Sequence, residues 1–125
     1  MGRQVSTRPH RRLAVWAEGI ELVKMVYRAT EVLPREEMYG LTAQMRRSAI
    51  SVCSNIAEGA ARGSPQDFAR FLNIARGSLS ELDTQVHIAM ELGYLENDEA
   101  LQAKQDEVSR LLNGLHRKIT QSPSR

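Results

Sequence analysis

Apolar residues recur at alternating intervals of three and four along nearly the whole chain, and this spacing restricts the possible folds more than any other feature. It is the period of one face of an α-helix. No segment alternates with period two, so the sequence predicts no β-sheet. The first helical segment, Arg12 to Leu33, has two such lines and therefore a wide apolar face. They are Leu13, Trp16, Ile20, Val23 and Tyr27, and Val15, Leu22, Val26, Ala29 and Leu33.

Proline and glycine separate the first helix from the second. Pro34 is expected to end the first helix, because a helix rarely continues through proline. Gly40 follows in a short turn, and Thr42 is a plausible N-cap. The pattern predicts a second helix over about Ala43–Ala61.

The third helix has the clearest start signal in the chain. Ser64 is the expected N-cap, Pro65 takes the first helical position, and Asp67 stands three residues after the cap. The apolar pattern continues to about Leu92, and Gly93 is the expected stop.

Asn97 or Asp98 is the expected cap of a fourth helix. Its apolar line is Leu101, Val108, Leu112, Leu115 and Ile119. Long helices joined by short connections predict an all-α fold, an antiparallel up-down four-helix bundle over residues 12–119. Residues 1–11 are expected to be a disordered basic arm, and residues 120–125 a disordered tail.

Length and composition fit one cytoplasmic domain. The chain has 125 residues, and domains commonly have about 100–150. We expect no membrane association, because no apolar run approaches the roughly 18 residues that span a bilayer, and no secretory signal is recognisable. Cys53 is the only cysteine, so no internal disulfide or cysteine-based zinc site is expected. It lies on the apolar face of the second helix and is expected to be a core residue.

The second helix has a stripe of mostly short polar side chains opposite its apolar face. The stripe consists of Gln44, Ser48, Ser51, Asn55, Glu58 and Arg62. Short side chains allow another backbone to approach, so we expect a packing and assembly element that includes Asn55, Glu58 and Arg62. Arg76 and Asp83 on the third helix are candidates for the same ion-pair network. Three interpretations are open: a local Glu58–Arg62 pair, a network between helices or subunits, and a ligand site.

The third helix also carries Gly77-Ser78 in its middle. Glycine there costs about 1 kcal/mol relative to alanine, so close packing is expected to offset it.

No pattern indicates catalysis, a metal or a cofactor. The chain has no Glu-x-x-His, the motif that carboxylate-bridged di-metal bundles need. His87 and Glu91 share a helix face but indicate a surface pair. No phosphate-binding glycine motif is present. The sequence predicts no catalytic residue and no metal ligand.

Arginines outnumber lysines by 14 to three. Arginine suits both phosphate contacts and buried ion pairs, so the enrichment alone does not choose between them. A basic N-terminal arm suits phosphates and equally suits a solvated end. The candidate nucleic-acid-binding residues are Arg11, Arg12, Arg46, Arg47, Arg70, Arg117 and Lys118. Only their clustering in three dimensions would distinguish a binding surface from scattered charge.

Several blocks together resemble one family. They are "LAVWAEGIELVKMVYRAT", "SNIAEG", "ARFLNIARGSLSEL" and "AMELGYL". They are similar to the bacterial 23S rRNA intervening-sequence proteins, which are encoded within insertions in large-subunit ribosomal RNA genes, and to the accessory proteins of diversity-generating retroelements. The resemblance covers roughly residues 13–115.

This resemblance implies a four-helix bundle that assembles into a ring-like homopentamer. It also implies a basic surface for nucleic acid, a reverse transcriptase-like partner, and no catalytic residue. Two positions depart from the family pattern: Cys53 replaces a usual proline, and His10, Arg11 and Arg12 replace the usual aromatic and acidic residues.

We therefore expect a non-enzymatic homo-oligomeric module that binds structured RNA, DNA or a ribonucleoprotein. The two apolar lines of the first helix and the short-side-chain stripe also favour contact between copies, because one bundle core needs only about a 100° face per helix. The alternative is a structural scaffold or protein–protein adaptor without nucleic-acid binding. A metal or small-molecule bundle is a third possibility.

Overall fold

The computed structural model describes residues 8–121, and all regular structure in them is helical. Four α-helices follow one another: α1 (Ala14–Thr30), α2 (Leu41–Ala61), α3 (Pro65–Glu91) and α4 (Glu99–Thr120). Short 3-10 helices precede α1 and α2, at Pro9–Arg12 and Arg35–Glu37. The predicted all-α, four-helix fold is confirmed.

Each helix packs against two others, so the four form a closed square. Consecutive helices are in contact, and α4 returns to α1, whereas diagonal helices do not approach one another within the described residues. Contacting pairs have the order expected of neighbours that run in opposite directions. Between α1 and α2 they are Gly19–Cys53 and Thr30–Arg46, and between α2 and α3 they are Ser51–Ser78 and Gly59–Phe68.

The predicted apolar lines form the core. Fully buried side chains come from all four helices, and they include Leu22, Met45, Val52, Ile56, Leu72, Leu82, Leu101, Val108 and Leu112. The predicted line that runs from Val15 to Leu33 is buried almost throughout. The line that contains Trp16, Val23 and Tyr27 lies at the edge of the core: Trp16 and Val23 are half-buried against it, and Tyr27 is exposed.

Most helix ends follow their sequence signals. The Ser64 hydroxyl accepts the Asp67 N–H at 3.1 Å, and the Asp98 carboxylate accepts the Leu101 N–H at 3.0 Å, as predicted for N-caps. Gly93 ends α3 with a positive φ of 78°. The N–H of Tyr94 there donates to the carbonyl of Ala89, which is the bond of a Schellman motif.

Thr42 is not the cap of α2, and that prediction was wrong. The helix begins at Leu41, and Thr42 is a buried residue of its first turn. Glu37 takes the role of the cap, because its carboxylate oxygen accepts the Leu41 N–H at 3.0 Å. A carboxylate is favoured at a helix N-terminus, where unpaired N–H groups carry partial positive charge.

The arm that precedes α1 is partly ordered, which corrects the expectation of disorder up to residue 11. Pro9–Arg12 forms a 3-10 turn, and α1 begins at Ala14. Trp16 anchors this turn: the His10 ring packs edge-on at 4.9 Å, and the Arg11 guanidinium lies 5.8 Å from the indole centroid. At the other end, α4 includes Thr120, where the disordered tail was expected to begin. Residues 1–7 and 122–125 of the predicted disordered segments lie outside the described residues.

Part of the polar stripe of α2 packs inside the chain. Ser48 is buried, and the hydroxyls of Ser51 and Ser78 are 2.8 Å apart across the α2–α3 contact. The close approach predicted for short side chains is therefore made with α3 of the same chain. Gly77 does not share in it, contrary to expectation, because a Cβ added there would meet nothing within 4 Å.

Candidate nucleic-acid interface

The bundle has a cationic end and an anionic end. The basic end, defined here as residues 8–18, 58–71 and 114–121, contains seven arginines and lysines against three carboxylates. The acidic end, residues 27–47 and 85–102, contains four arginines against seven carboxylates. Because neighbouring helices run in opposite directions, segments far apart in sequence meet at each end. The cations of the basic end are Arg8, Arg11, Arg12, Arg62, Arg70, Arg117 and Lys118.

Phe71 is the centre of the basic end on the α2–α3 side. The guanidinium carbons of Arg62 and Arg70 lie 4.9 Å and 4.8 Å from its ring centroid. Each arginine also approaches a carboxylate of its own helix, Glu58 at 2.9 Å and Asp67 at 3.8 Å. Two guanidinium groups are thus held against one aromatic ring, with side chains that are still largely exposed.

A close helix contact fixes the position of that ring. Gly59 faces α3, and a Cβ added there would lie 2.8 Å from Cβ of Phe71 and 3.0 Å from Phe68. Since glycine lets the two backbones approach, α2 and α3 are joined tightly beside the turn at residues 62–64. The α2–α3 side of the basic end is therefore closely packed.

The other predicted cations of this end come from the chain termini. Arg11 and Arg12 are exposed in the turn before α1, and Arg117 and Lys118 are exposed in the last turn of α4. Arg70 and His116 line the same cleft between α3 and α4. Five of the seven predicted nucleic-acid-binding residues are therefore at one end of the bundle.

Arg46 and Arg47 are not part of this group, because they lie near the opposite end. The Arg46 guanidinium carbon is 4.4 Å from the centroid of the Tyr27 ring, and its Nε donates to the buried Thr30 hydroxyl at 2.9 Å. These contacts join α2 to α1 and give Arg46 a structural role. Arg47 is exposed beside Glu81.

The predicted assembly residues make local contacts. Asn55 donates from its side-chain amide to the Ser51 carbonyl at 2.8 Å, and Arg62 pairs with Glu58 one turn away. Arg76 donates to Asn73 at 2.9 Å. Asp83 forms no ion pair with any described residue. Of the three interpretations, the local Glu58–Arg62 pair is the one that the structure contains.

The other side chains that the sequence singled out for their chemistry are Cys53, His87 and Glu91. Cys53 is buried as predicted, and burial raises the pKa of its thiol to about 11, which keeps it protonated at neutral pH. His87 and Glu91 form an exposed pair at 3.9 Å. Within residues 8–121, no three metal-ligating side chains come together, and no helix is long and apolar enough to cross a membrane.

Sequence reasoning missed Gln105. It fills the gap in the apolar line of α4 between Leu101 and Val108, four residues after one and three before the other. Its side chain is 5% exposed, and its Oε1 makes no hydrogen bond to the described residues. An unpaired buried acceptor costs about 1–3 kcal/mol. The break in the apolar spacing was the signal that could have identified it.

These features define a class of small all-α proteins, in which four helices form a bundle with positive charge at one end and negative charge at the other. The sequence model of the 23S rRNA-intervening sequence proteins matches residues 11–114. The chain therefore belongs to the 23S rRNA-intervening sequence protein family.

Comparison with solved structures supports the fold. The chain is similar to a protein of unknown function from the S23 ribosomal protein family of Bacteroides thetaiotaomicron, with a TM-score of 0.75 and 21% identity. The match covers 82% of this chain and 95% of that one. Comparison with curated proteins finds no match.

Proposed function

We propose that this protein is a non-enzymatic, homo-oligomeric accessory module that binds structured RNA, DNA or a ribonucleoprotein through its basic end. The observation that carries the proposal is the convergence of Arg11, Arg12, Arg70, Arg117 and Lys118 at one end of the bundle. The family resemblance adds a homopentamer and a reverse transcriptase-like protein as a partner. The composition and the single cysteine favour the cytoplasm as the site of action.

Phosphate contact is the chemistry that these side chains suit best. Exposed guanidinium groups donate paired N–H groups to phosphate oxygens, and each phosphate that they neutralise releases counterions. The guanidinium carbons of Arg62 and Arg70 lie over the Phe71 ring, and each arginine approaches one carboxylate. Because a guanidinium has five N–H donors, each group keeps donors for a phosphate. Backbone contacts of this kind carry no base sequence information, so we expect recognition of nucleic-acid shape.

Assembly would multiply these contacts. Ile50, Ile74 and Ile88 are large apolar side chains that a single chain leaves about two-fifths exposed, which favours contact between copies. A closed ring presents one basic end per subunit, so several weak contacts act together on one nucleic acid.

The test is binding of a fluorescent RNA hairpin to the full chain as a function of salt. The variant R70Q/R117Q removes two cations from the basic end, and R35Q/R47Q removes two exposed cations from the acidic end. At 0.1 M salt each lost phosphate contact weakens binding by about sixfold, so we expect roughly 40-fold for the first variant. The second variant should bind nearly as the unchanged chain does.

Equal losses for the two variants, or no salt dependence, would refute a specific role of the basic end. Light scattering on the same samples measures the oligomer and shows whether either variant changes it. A monomer in the unchanged chain would contradict the oligomeric part of the proposal.

A protein–protein adaptor is the second candidate, and the exposed apolar residues of the acidic end favour it. Tyr39 is 91% exposed and Val32 is 67% exposed, and Met38 and Leu92 are also open. An adaptor without nucleic-acid binding would show no salt-dependent RNA affinity. Its oligomer mass or partner binding would instead respond to Tyr39→Ser.

A further inference from the structure

A polar cleft between α3 and α4 lies outside the basic end. It has a volume of about 490 Å³ and is lined mainly by polar side chains, including Arg76, Asp83 and Thr84 of α3 and Gln105, Asp106 and Ser109 of α4. Adjacent helices in a bundle usually close such a seam with apolar side chains. Here the seam stays open and polar.

Gln105 lies at the buried side of this cleft. It stands in the core line of α4, is almost wholly buried, and has a side-chain oxygen with no partner among the described residues. Rotation of a side-chain carboxamide about its last torsion angle costs little energy, so Gln105 can turn either its oxygen or its N–H groups towards the cleft. A hydrogen-bond donor in the cleft would satisfy the oxygen.

Charge selects the kind of donor. Asp83 and Asp106 line the cleft from opposite helices, and neither forms an ion pair or hydrogen bond with a described residue. Arg76 is the one cation among the lining residues, and its guanidinium donates to Asn73. Two unpaired carboxylates and one unpaired carbonyl oxygen therefore favour a cation that carries several N–H donors.

We propose that this cleft binds a primary ammonium group, with Gln105 accepting one N–H and Asp83 and Asp106 supplying the opposite charge. A free alkylamine or diamine could supply the group, and so could a lysine side chain from a second copy of this chain. The volume is ample for a short diamine.

The test uses putrescine (1,4-diaminobutane) and the full chain, with binding measured by calorimetry and by thermal unfolding. Butane-1,4-diol has the same length without charge, and succinate has the opposite charge. We expect putrescine alone to bind and to raise the melting temperature. No binding, or equal binding of the diol, would overturn the free-amine source.

Two variants connect binding to the cleft. Asp106→Asn keeps the shape and removes one charge, so putrescine should bind about fivefold more weakly, the equivalent of roughly 1 kcal/mol for a partly exposed ion pair. Gln105→Leu should abolish binding and yet raise the melting temperature, because the unpaired acceptor is gone. Glu21→Gln, a similar charge change on the exposed face of α1, should change neither property.

A separate measurement tests the other source of the ammonium group, a lysine side chain of a second copy. If a lysine of another copy occupies the cleft, Gln105→Leu should lower the oligomer mass in light scattering, and putrescine should compete with assembly. If putrescine does not bind and Gln105→Leu leaves the mass unchanged, the proposal is wrong. Unchanged putrescine affinity in both cleft variants would overturn it as well.

Discussion

At the basic end three residues, 62–64, connect α2 to α3, whereas at the acidic end ten residues, 31–40, connect α1 to α2. The short connection is accompanied by the Gly59 contact and by two arginines on Phe71. The long connection exposes Tyr39 and Val32. One end therefore combines close packing with positive charge, and the other combines longer loops with carboxylates and apolar side chains.

This difference suggests two kinds of partner for one small bundle. Cations such as Arg62 and Arg70, which are held against an aromatic ring, suit a phosphate backbone, since their positions are largely set before binding. Exposed apolar residues among carboxylates suit a protein surface that is itself apolar and basic. The following predictions test the comparison, from the largest expected effect to the smallest.

Gly59→Ala should lower the free energy of unfolding by about 2 kcal/mol, because the added methyl would force α2 away from α3. Urea denaturation measures the change. Gly77→Ala is the matched control, since it has open space and should gain up to about 1 kcal/mol from helix propensity. If both variants were more stable than the unchanged chain, α2 and α3 would have room for a methyl group at Gly59, and the close contact described here would be wrong.

Ser64→Ala should cost about 1 kcal/mol, because the Asp67 N–H at the start of α3 loses its acceptor. Thermal or urea unfolding gives the value, and Ser64→Thr should restore most of it. If alanine and threonine behaved alike, the hydroxyl would not stabilise this helix end.

Removing one carboxylate should have opposite effects at the two ends. Asp67→Asn should lower stability by about 0.5 kcal/mol, because Asp67 lies near Arg70 and in the first turn of α3. Glu96→Gln should raise stability by a few tenths of a kcal/mol, since it relieves repulsion at the acidic end. Both effects should fade in 0.5 M salt, and effects of the same sign would contradict the charge asymmetry.

Glu58→Gln should change stability by only about 0.3 kcal/mol, the usual value of an exposed i,i+4 pair. It removes a negative charge from the basic end, so RNA should bind slightly more tightly in a titration. A large loss of stability or of oligomer mass would instead place Glu58 in a network between subunits.

Local signals in the sequence were sufficient for the starts of α3 and α4 and for the end of α3. Ser64, Asp98 and Gly93 act through bonds to residues close in the chain, so a short window contains all the information. The α2 start was misassigned because the Glu37 carboxylate reaches it from outside the helix.

Packing between helices was harder to predict. A helical wheel shows which residues share a face of a helix. It does not show which of them contact each of the two neighbouring helices. For this reason Ser48 and Ser51 were placed opposite the core, although Ser48 is buried and the Ser51 hydroxyl contacts Ser78 of α3. Likewise Arg70 and Arg117 are far apart in sequence, and only the direction of each helix brings them to one end.

Hydroxyl-radical footprinting of the full chain with and without an RNA hairpin tests the central claim most directly. The reactive side chains Trp16, Phe71 and His116 report on the basic end, and Met38 and Tyr39 report on the acidic end. We predict that RNA lowers the oxidation of the first three residues and leaves the other two unchanged. Protection of Met38 and Tyr39 alone, or no protection at either end, would contradict the assignment of nucleic-acid binding to the basic end.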